Sequence, residues 1–456
     1  MPLTILSDAD IHSLLLSLNR DDIAQLQHNL SEALHDYSTG TQETTVGCSA
    51  NQPQRIAVPA ANNQTTLFMP ASTSTSRGIK IVTLATAPVP SREPSVVDSV
   101  SSSVSSSVSK LSIDSPRSTS PTPQSPSTTS SKFTINTTSY TPSIASSQSA
   151  DPSVASSQTT TPRGSLTLLT SSGIPYAFLG AEELTAFRTA LASTIILNRR
   201  SHVHSITVFG AGKQAVWHIR LALIIRGSEI HHVDIVNRSF ARAKKLMHEF
   251  YTSPDWEDLR NANPKLAFSI VSSEYGEYQR LLKEHVRKAD VIFMCTPSTS
   301  PLFPAEYLTS SEGRKKGRYI SAIGSYRRHM IEIHPDVLRQ AVAPVHKHHH
   351  HKHAEKGGVI VVDSLEACLK EAGEIRQADI TAEQLVEIGE LLMVKKASMK
   401  EIEMGTGEGE KGLRKWLISG NVIYKSVGIG MMDVCIGEDL VALAMERGIG
   451  TIVEGF

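Results

Sequence analysis

Gly210-Ala211-Gly212-Lys213-Gln214-Ala215 is the stretch of this chain whose residue types and spacing speak most directly of chemistry. Gly210 permits a tight turn, Gly212 lets backbone approach a pyrophosphate, and small Ala215 lets a helix pack closely on a strand. The hexapeptide follows an apolar strand-like run, ITVF, and opens a helix read from Lys213 to Ile225. The first amides of such a helix, beginning at Lys213 and Gln214, are oriented to hold phosphate oxygens. Taken alone the hexapeptide also suits a plain structural turn; the strand before it and the helix and strand after it favour dinucleotide binding.

Which dinucleotide is decided at the end of the next strand, HHVDIVN, where an acidic residue would accept hydrogen bonds from a ribose 2′-hydroxyl. By alternation Asp234 lies inside that strand, while Asn237, Arg238 and Ser239 occupy its tip. Arg238 would pair with a 2′-phosphate and Asn237 and Ser239 would donate to it, so NADP(H) is favoured, with NAD(H) as the alternative. The plainer reading of Arg238 is a solvated strand-end charge. A further strand end, ADVIFMCTPSTSPLF (289–303), is expected to line the nicotinamide cleft with Thr296, Pro297 and Ser298.

The elements that must hold these residues alternate. Between 201 and about 365 the chain reads strand, helix, strand: ITVFGAG, the helix from Lys213, HHVDIVN, a helix Phe240 to Tyr251, ADVIFMCT, YISAIGS and GVIVVDS. That order predicts a doubly wound parallel sheet covered by helices, the Rossmann type of α/β fold. Further helices are read at Glu366–Glu374, Thr381–Ser398 and Val434–Gly448. Upstream, Ser7 caps a helix carrying Ile11, Leu14, Leu15 and Leu18, and a second runs from Asp21 or Asp22 to Gly40. Candidate strands RIAVP (55–59), TLFMP (66–70), GIKIVTLAT (78–86) and two around a Ser-Ser-Gly turn in 165–180 precede a helix at 183–200.

Composition divides the chain further. From about Pro88 to Pro162 it is Ser, Thr and Pro, with too little apolar surface to offset chain entropy, and is read as a disordered insert with Ser-Pro and Thr-Pro pairs. The tract HKHHHHKH (346–353) is read as a solvated loop, because consecutive histidines lack the fixed geometry of a metal site. Lys+Arg and Asp+Glu each total 45, so no overall field attracts nucleic acid or an anionic membrane. The cysteines Cys48, Cys295, Cys368 and Cys435 show no metal-ligand spacing, so no metal centre is expected. Reduced thiols, an acidic rather than basic start and no run of about 18 apolar residues read as a soluble, cytoplasmic protein.

The motif LTAFRTALAS (184–193) resembles a signature of the ornithine cyclodeaminase/mu-crystallin family, whose members include cyclodeaminases, ketimine reductases and amino-acid dehydrogenases. SAIGS (321–325) with Glu332, EAGEI (371–375), KSVGIGMMD (425–433), the opening ILSDADI and the GAGKQA turn follow in the family's order. The resemblance covers nearly the whole chain outside the serine-rich insert and the histidine tract. It implies a homodimer, and a second α+β substrate and dimerisation domain from residues 1–87, 163–200 and 426–456 beside a Rossmann domain at 201–425.

The resemblance also implies that Arg55, Lys80 and Arg188 bind a substrate carboxylate, and paired cations suit such a group. Two positions where cyclodeaminases carry acids hold Leu67, ahead of the Met69-Pro70 dipeptide, and Ser298. A neutral pocket does not stabilise a distal ammonium, which points to a small amino or imino acid with an uncharged side chain or a cyclic imine. The leading expectation is an oxidoreductase interconverting amine and imine, with Lys80 moving a proton and Ser298 and Thr296 bordering the nicotinamide. Redox-neutral conversion of ornithine to proline and ammonia, and a non-catalytic NADPH-binding protein, are the alternatives.

Overall fold

The computed structural model describes residues 2–39, 52–60, 64–85, 162–343, 358–392 and 408–456. Cys48, the serine-rich insert up to residue 161, the histidine tract and the end of the helix read at 381–398 lie outside the described residues. Among the described residues no helix is long and apolar enough to cross a membrane.

Two sheets organise the chain. The first combines β1 (Leu3–Leu6), β2 (Ile56–Ala60), β3 (Gln64–Ser72), β4 (Arg77–Ala85), β5 (Arg163–Leu169), β6 (Pro175–Gly180) and β15 (Thr451–Val453) in the order β15-β1-β6-β5-β4-β3-β2. All its pairings are antiparallel except β1 with β6. Strict alternation on β3 and β4 turns Leu67, Met69, Lys80, Val82 and Leu84 to one buried face. The inner face of the sheet is covered by α1 (Asp8–Leu16), α3 (Ala181–Leu197) and the C-terminal helix Gly430–Arg447, and α2 (Arg20–Thr39) packs on the last two. Ser7 caps α1 in a reciprocal box with Asp10, as its sequence indicates.

The second sheet is entirely parallel, in the order β13-β12-β14-β11-β10-β7-β8-β9. Its strands are β7 (Ser205–Phe209), β8 (His232–Val236), β9 (Ala267–Val271), β10 (Val291–Met294), β11 (Tyr319–Ala322), β12 (Ile360–Val362), β13 (Leu385–Glu387) and β14 (Val422–Lys425). Those in the middle are buried on both faces, so they read as continuous apolar runs. From β7 the chain winds one way through α4 (Lys213–Arg226), β8 and α5 (Phe240–Thr252) to β9, and then crosses back to β10. The switch point therefore lies between β7 and β10, whose carboxyl ends open a crevice of the kind that holds ligands in doubly wound sheets. α3 is buried on nearly every side because it packs on β5 and on α4 at once, joining the two sheets through one continuous core.

The structure corrects three readings. Residues 382–384 form a 3-10 turn and Leu385–Glu387 an edge strand paired with β12, where a helix was expected from Thr381. The free edge of β12 supplies backbone hydrogen bonds to the three strand residues, and helix begins only at Ile388. The helix expected over Glu366–Glu374 breaks at Ala372 into Leu365–Glu371 and Gly373–Gln377, where a side chain at 373 would collide with the Met330 carbonyl. The last helix begins at Gly430, earlier than Val434, which brings Asp433 into its first turn.

Candidate active site

The glycine turn leaves β7 at Gly210, whose φ of +111° is open to glycine and costly for other residues. A Cβ there would also lie 3.0 Å from the Cys295 carbonyl at the end of β10, so the two strand ends meet only over a glycine. Gly212 caps α4 without any side-chain hydrogen bond, and the space around it is open. The first amides of α4 are thus free of a capping side chain, and the turn fits a pyrophosphate in shape and in donors. Asp234 is held inside β8, accepting from Ser269 Oγ at 2.6 Å and facing His285 Nδ1 at 2.9 Å. At the tip of β8, Asn237 Nδ2 donates to the Ser239 carbonyl, Ser239 caps α5, and Arg238 is exposed. Glu274 accepts from the Phe240 amide beside them at 3.2 Å.

A cavity of about 190 Å³ opens beside this turn. One wall is the parallel sheet's edge, with Gly212, Lys213, Gln214, Cys295, Pro297 and Gly324. Facing it, the other is α3 and the first sheet, with Arg188, Lys80, Arg55, Leu67, Val82 and Leu84. Six of the residues singled out from sequence, Arg55, Lys80, Arg188, Lys213, Gln214 and Pro297, therefore share one cavity with Gly212. Gly210, Ala211, Asn237, Arg238, Ser239, Thr296 and Ser298 are not on its wall. Thr296 gives its amide to Glu332, and the Ser298 hydroxyl donates to the Ser300 carbonyl at 2.5 Å. Ser298 was expected to line the cleft; its own loop's backbone instead takes its hydroxyl proton. Lys213 reaches back to Glu182 at 2.7 Å and to Glu183.

The cations have specific surroundings. Lys80 Nζ donates to Asp433 Oδ1 at 2.8 Å and Arg188 Nε donates to the same oxygen at 3.1 Å. Lys80 is 2 % exposed, Arg188 4 % and Asp433 0 %, so this trio lies away from solvent with two positive charges against one negative. Burial, opposed by Asp433 and reinforced by Arg188, lowers the Lys80 ammonium to a pKa of about 8. Gly428, at φ +81°, lets the chain pass over the Arg188 guanidinium, where a Cβ would sit 3.0 Å from Nη2. Arg55 bonds to Glu371 and to the Tyr326 carbonyl, and burial brings its pKa down to about 10. Cys295 also lines the cavity, but burial raises its thiol's pKa, and the nearby His218 Nδ1, 3.8 Å from the sulfur, lies 2.7 Å from the Gln214 carbonyl.

Beneath the cavity lies a buried polar scaffold. Glu332 accepts the amides of Thr296, Gly324 and Ser325 at 2.9, 2.7 and 3.1 Å, clamping the turns after β10 and β11. Its burial, offset in part by Lys425, raises its pKa to about 8. Lys425 Nζ reaches the Ser325 hydroxyl and carbonyl and Glu374, while Asp363 accepts the amides of Val427 and Gly428. Glu332, Glu374, Lys425 and Asp433 all fall in motifs quoted from sequence, where only the motif and not the role was legible. Asp433 was the consequential omission; an acid ending an otherwise apolar Gly-Met-Met run was its one signal.

Fold and cleft together define a Rossmann-type α/β protein with a second sheet that closes a cationic cavity over the glycine turn. No family model matches the chain. An uncharacterized protein of Saccharomyces cerevisiae is 31 % identical over 58 % of this chain and 69 % of its own length. A Delta(1)-pyrroline-2-carboxylate reductase of Bacillus cereus is 24 % identical over 62 % of this chain and 71 % of the relative, and the ketimine reductase mu-crystallin of Mus musculus 29 % identical over 47 % and 54 %. Among solved structures, an archaeal alanine dehydrogenase dimer with bound NAD aligns over 100 % of both chains with a TM-score of 0.60 at 17 % identity. The Thermococcus litoralis Delta(1)-pyrroline-2-carboxylate reductase in complex with NADH and L-proline aligns over 98 % of this chain and 99 % of its own, with a TM-score of 0.59 at 16 % identity. The chain belongs to the ornithine cyclodeaminase/mu-crystallin family.

Proposed function

We propose that this protein is a nicotinamide-dependent oxidoreductase that interconverts amine and imine at the carbon alpha to a carboxylate. The observation that carries the reading is the charge balance of the buried trio. Among the described residues Lys80 and Arg188 pair with Asp433 and no other acid, leaving one uncompensated positive charge beside a cavity. A buried net charge is costly, and a substrate carboxylate offsets it while accepting from the lysine and the guanidinium. Arg55, on the same wall and paired with Glu371, adds further cationic contact.

Gly210, Ala211 and Gly212, with the amides of Lys213 and Gln214, hold the dinucleotide's pyrophosphate; Pro297 borders its nicotinamide, and Thr296, pinned through its amide, sets that turn. When bound, the reduced nicotinamide supplies a hydride to the imine carbon as the C=N π bond opens toward nitrogen. Lys80, with its pKa near 8, delivers the proton that nitrogen takes up. Asp433 keeps Lys80 charged and directed. Ser298 has no part in this account, since its hydroxyl is turned away.

At the β8 tip, Arg238 with Asn237 and Ser239 favours the 2′-phosphate of NADP(H) over NAD(H), and Asp234, locked in its strand, does not oppose it. The relatives named for pyrroline-2-carboxylate and ketimine reduction support the reaction class, and the dimeric archaeal neighbour supports a homodimer. The test is oxidation of NADPH and of NADH by imines formed from 2-oxo acids, with ammonia release from ornithine assayed in parallel. Imine-dependent loss of NADPH supports the proposal; ammonia release without net cofactor oxidation contradicts it in favour of cyclodeamination.

A further inference from the structure

The first sheet's wall of the cavity has a polarity gradient. On β3 and β4 the residues that line the cavity are Leu67, Met69, Lys80, Val82 and Leu84, and Lys80 is the one polar group among them. In the ladder Lys80 stands opposite Met69 and Val82 opposite Leu67, so apolar surface continues beyond the lysine to Leu84, which stands opposite Thr65. Leu84 lies four residues from Lys80, about 13 Å along an extended strand. Leu67, Met69, Val82 and Leu84 form a cluster with Ala181 that is separate from the two large cores. They pack on one another and on the cavity, so their arrangement is not required to fill the interior of either sheet.

The acidic group near this surface is already engaged. Glu182 is the one carboxylate among the described residues lining the cavity, and it is bound by Lys213. The Thr185 and Thr189 hydroxyls donate to carbonyls of their own helix. A distal ammonium placed here would meet no unpaired carboxylate among the described residues, at a large desolvation cost. A five-membered ring held by its carboxylate at Lys80 and Arg188 would span about one residue step of the strand, roughly 3.4 Å, and leave Leu84 uncovered.

We infer that Leu67, Val82 and Leu84 form a side-chain subsite that selects imino acids with a long apolar side chain, branched aliphatic or aromatic, over small cyclic imines and over diamino acids. The inference rests on the function proposed above and names its substrate class. The carboxylate is anchored at Lys80 and Arg188, and the side chain lies along β4 toward Leu84. Each methylene buried there multiplies kcat/KM about fourfold until Leu84 is reached.

The experiment is a series of 2-oxo acids with side chains from methyl through isobutyl to benzyl, each with methylamine, assayed with NADPH beside pyrroline-2-carboxylate. Each acid condenses with methylamine to an imine with release of water, and the imine takes up hydride from NADPH and a proton to become the N-methyl amino acid. The expected result is kcat/KM rising at least tenfold from methyl to isobutyl and exceeding that for pyrroline-2-carboxylate. Leu84→Ala should lower the isobutyl-to-methyl ratio at least fivefold, and Leu84→Phe, which shortens the subsite, should lower it for benzyl first. A series that is flat, or that peaks at methyl or at the cyclic imine, overturns the subsite and leaves the reductase reading intact. No turnover with any member overturns both.

Discussion

At the scale of single residues, the account turns on Lys80, Arg188 and Asp433. In the proposed reaction Lys80 is the acid, so kcat/KM for reduction should fall as pH rises through about 8, where burial has placed its ammonium. Asp433 holds that pKa up against burial, so Asp433→Asn should move the fall to lower pH; an unmoved limb would show that another group titrates. Lys80→Met should reduce turnover by about a hundredfold or more while NADPH still binds, measured by calorimetry beside the steady-state assay. The basic members of this trio were legible from the family motifs, since LTAFRTALAS places Arg188 and GIKIVTLAT places Lys80. Their acid was not, because Asp433 follows two methionines on a helix read as starting after it, and nothing in its own segment shows that β4 and α3 converge on it.

At the scale of elements, strand ends and turns do the positioning. Gly210 sits at φ +111° against Cys295, so Gly210→Ala should cost on the order of 1–3 kcal/mol of strain and weaken NADPH binding, read by calorimetry. Glu332 clamps the turns after β10 and β11 with a pKa raised by burial from 4.5 to about 8. The folded protein therefore holds a proton there that the unfolded chain has lost. This contribution to stability is fully present below about pH 4.5 and fades as pH rises to about 8. Thermal unfolding of Glu332→Gln should show a shallower decline over that window than the parent; an equal slope would place the titration elsewhere. The alternation of β7, α4, β8 and α5 was readable because each strand is an apolar run beside a turn residue. β13 was not, since its three residues run directly into a helix from Ile388 and only the neighbouring β12 edge draws them into the sheet. β9 and β14 also escaped the sequence reading: β9 is a half-buried edge strand, and β14 enters the sheet out of chain order between β11 and β12.

At the scale of the whole molecule, two sheets are tied by α3 into one core, with the cavity at the seam between them. The first sheet ends in β2, whose Ile56 and Val58 are 61 % and 48 % exposed, an apolar edge that the proposed homodimer would cover. Light scattering should give a dimeric mass, and Ile56→Asp with Val58→Asp should shift it toward the monomer; a monomeric parent would remove that part of the proposal. The central claim is that the glycine turn and the cationic cavity form one site for imine reduction. The most direct measurement is the loss of reduced-nicotinamide absorbance when NADPH and an imine of a 2-oxo acid are supplied together to the full-length protein and, in parallel, to Arg188→Ala. Cofactor oxidation that needs the imine, and that Arg188→Ala raises in KM by about tenfold or more, is the result this account predicts. Oxidation that is indifferent to Arg188, or none with either nicotinamide, would contradict it.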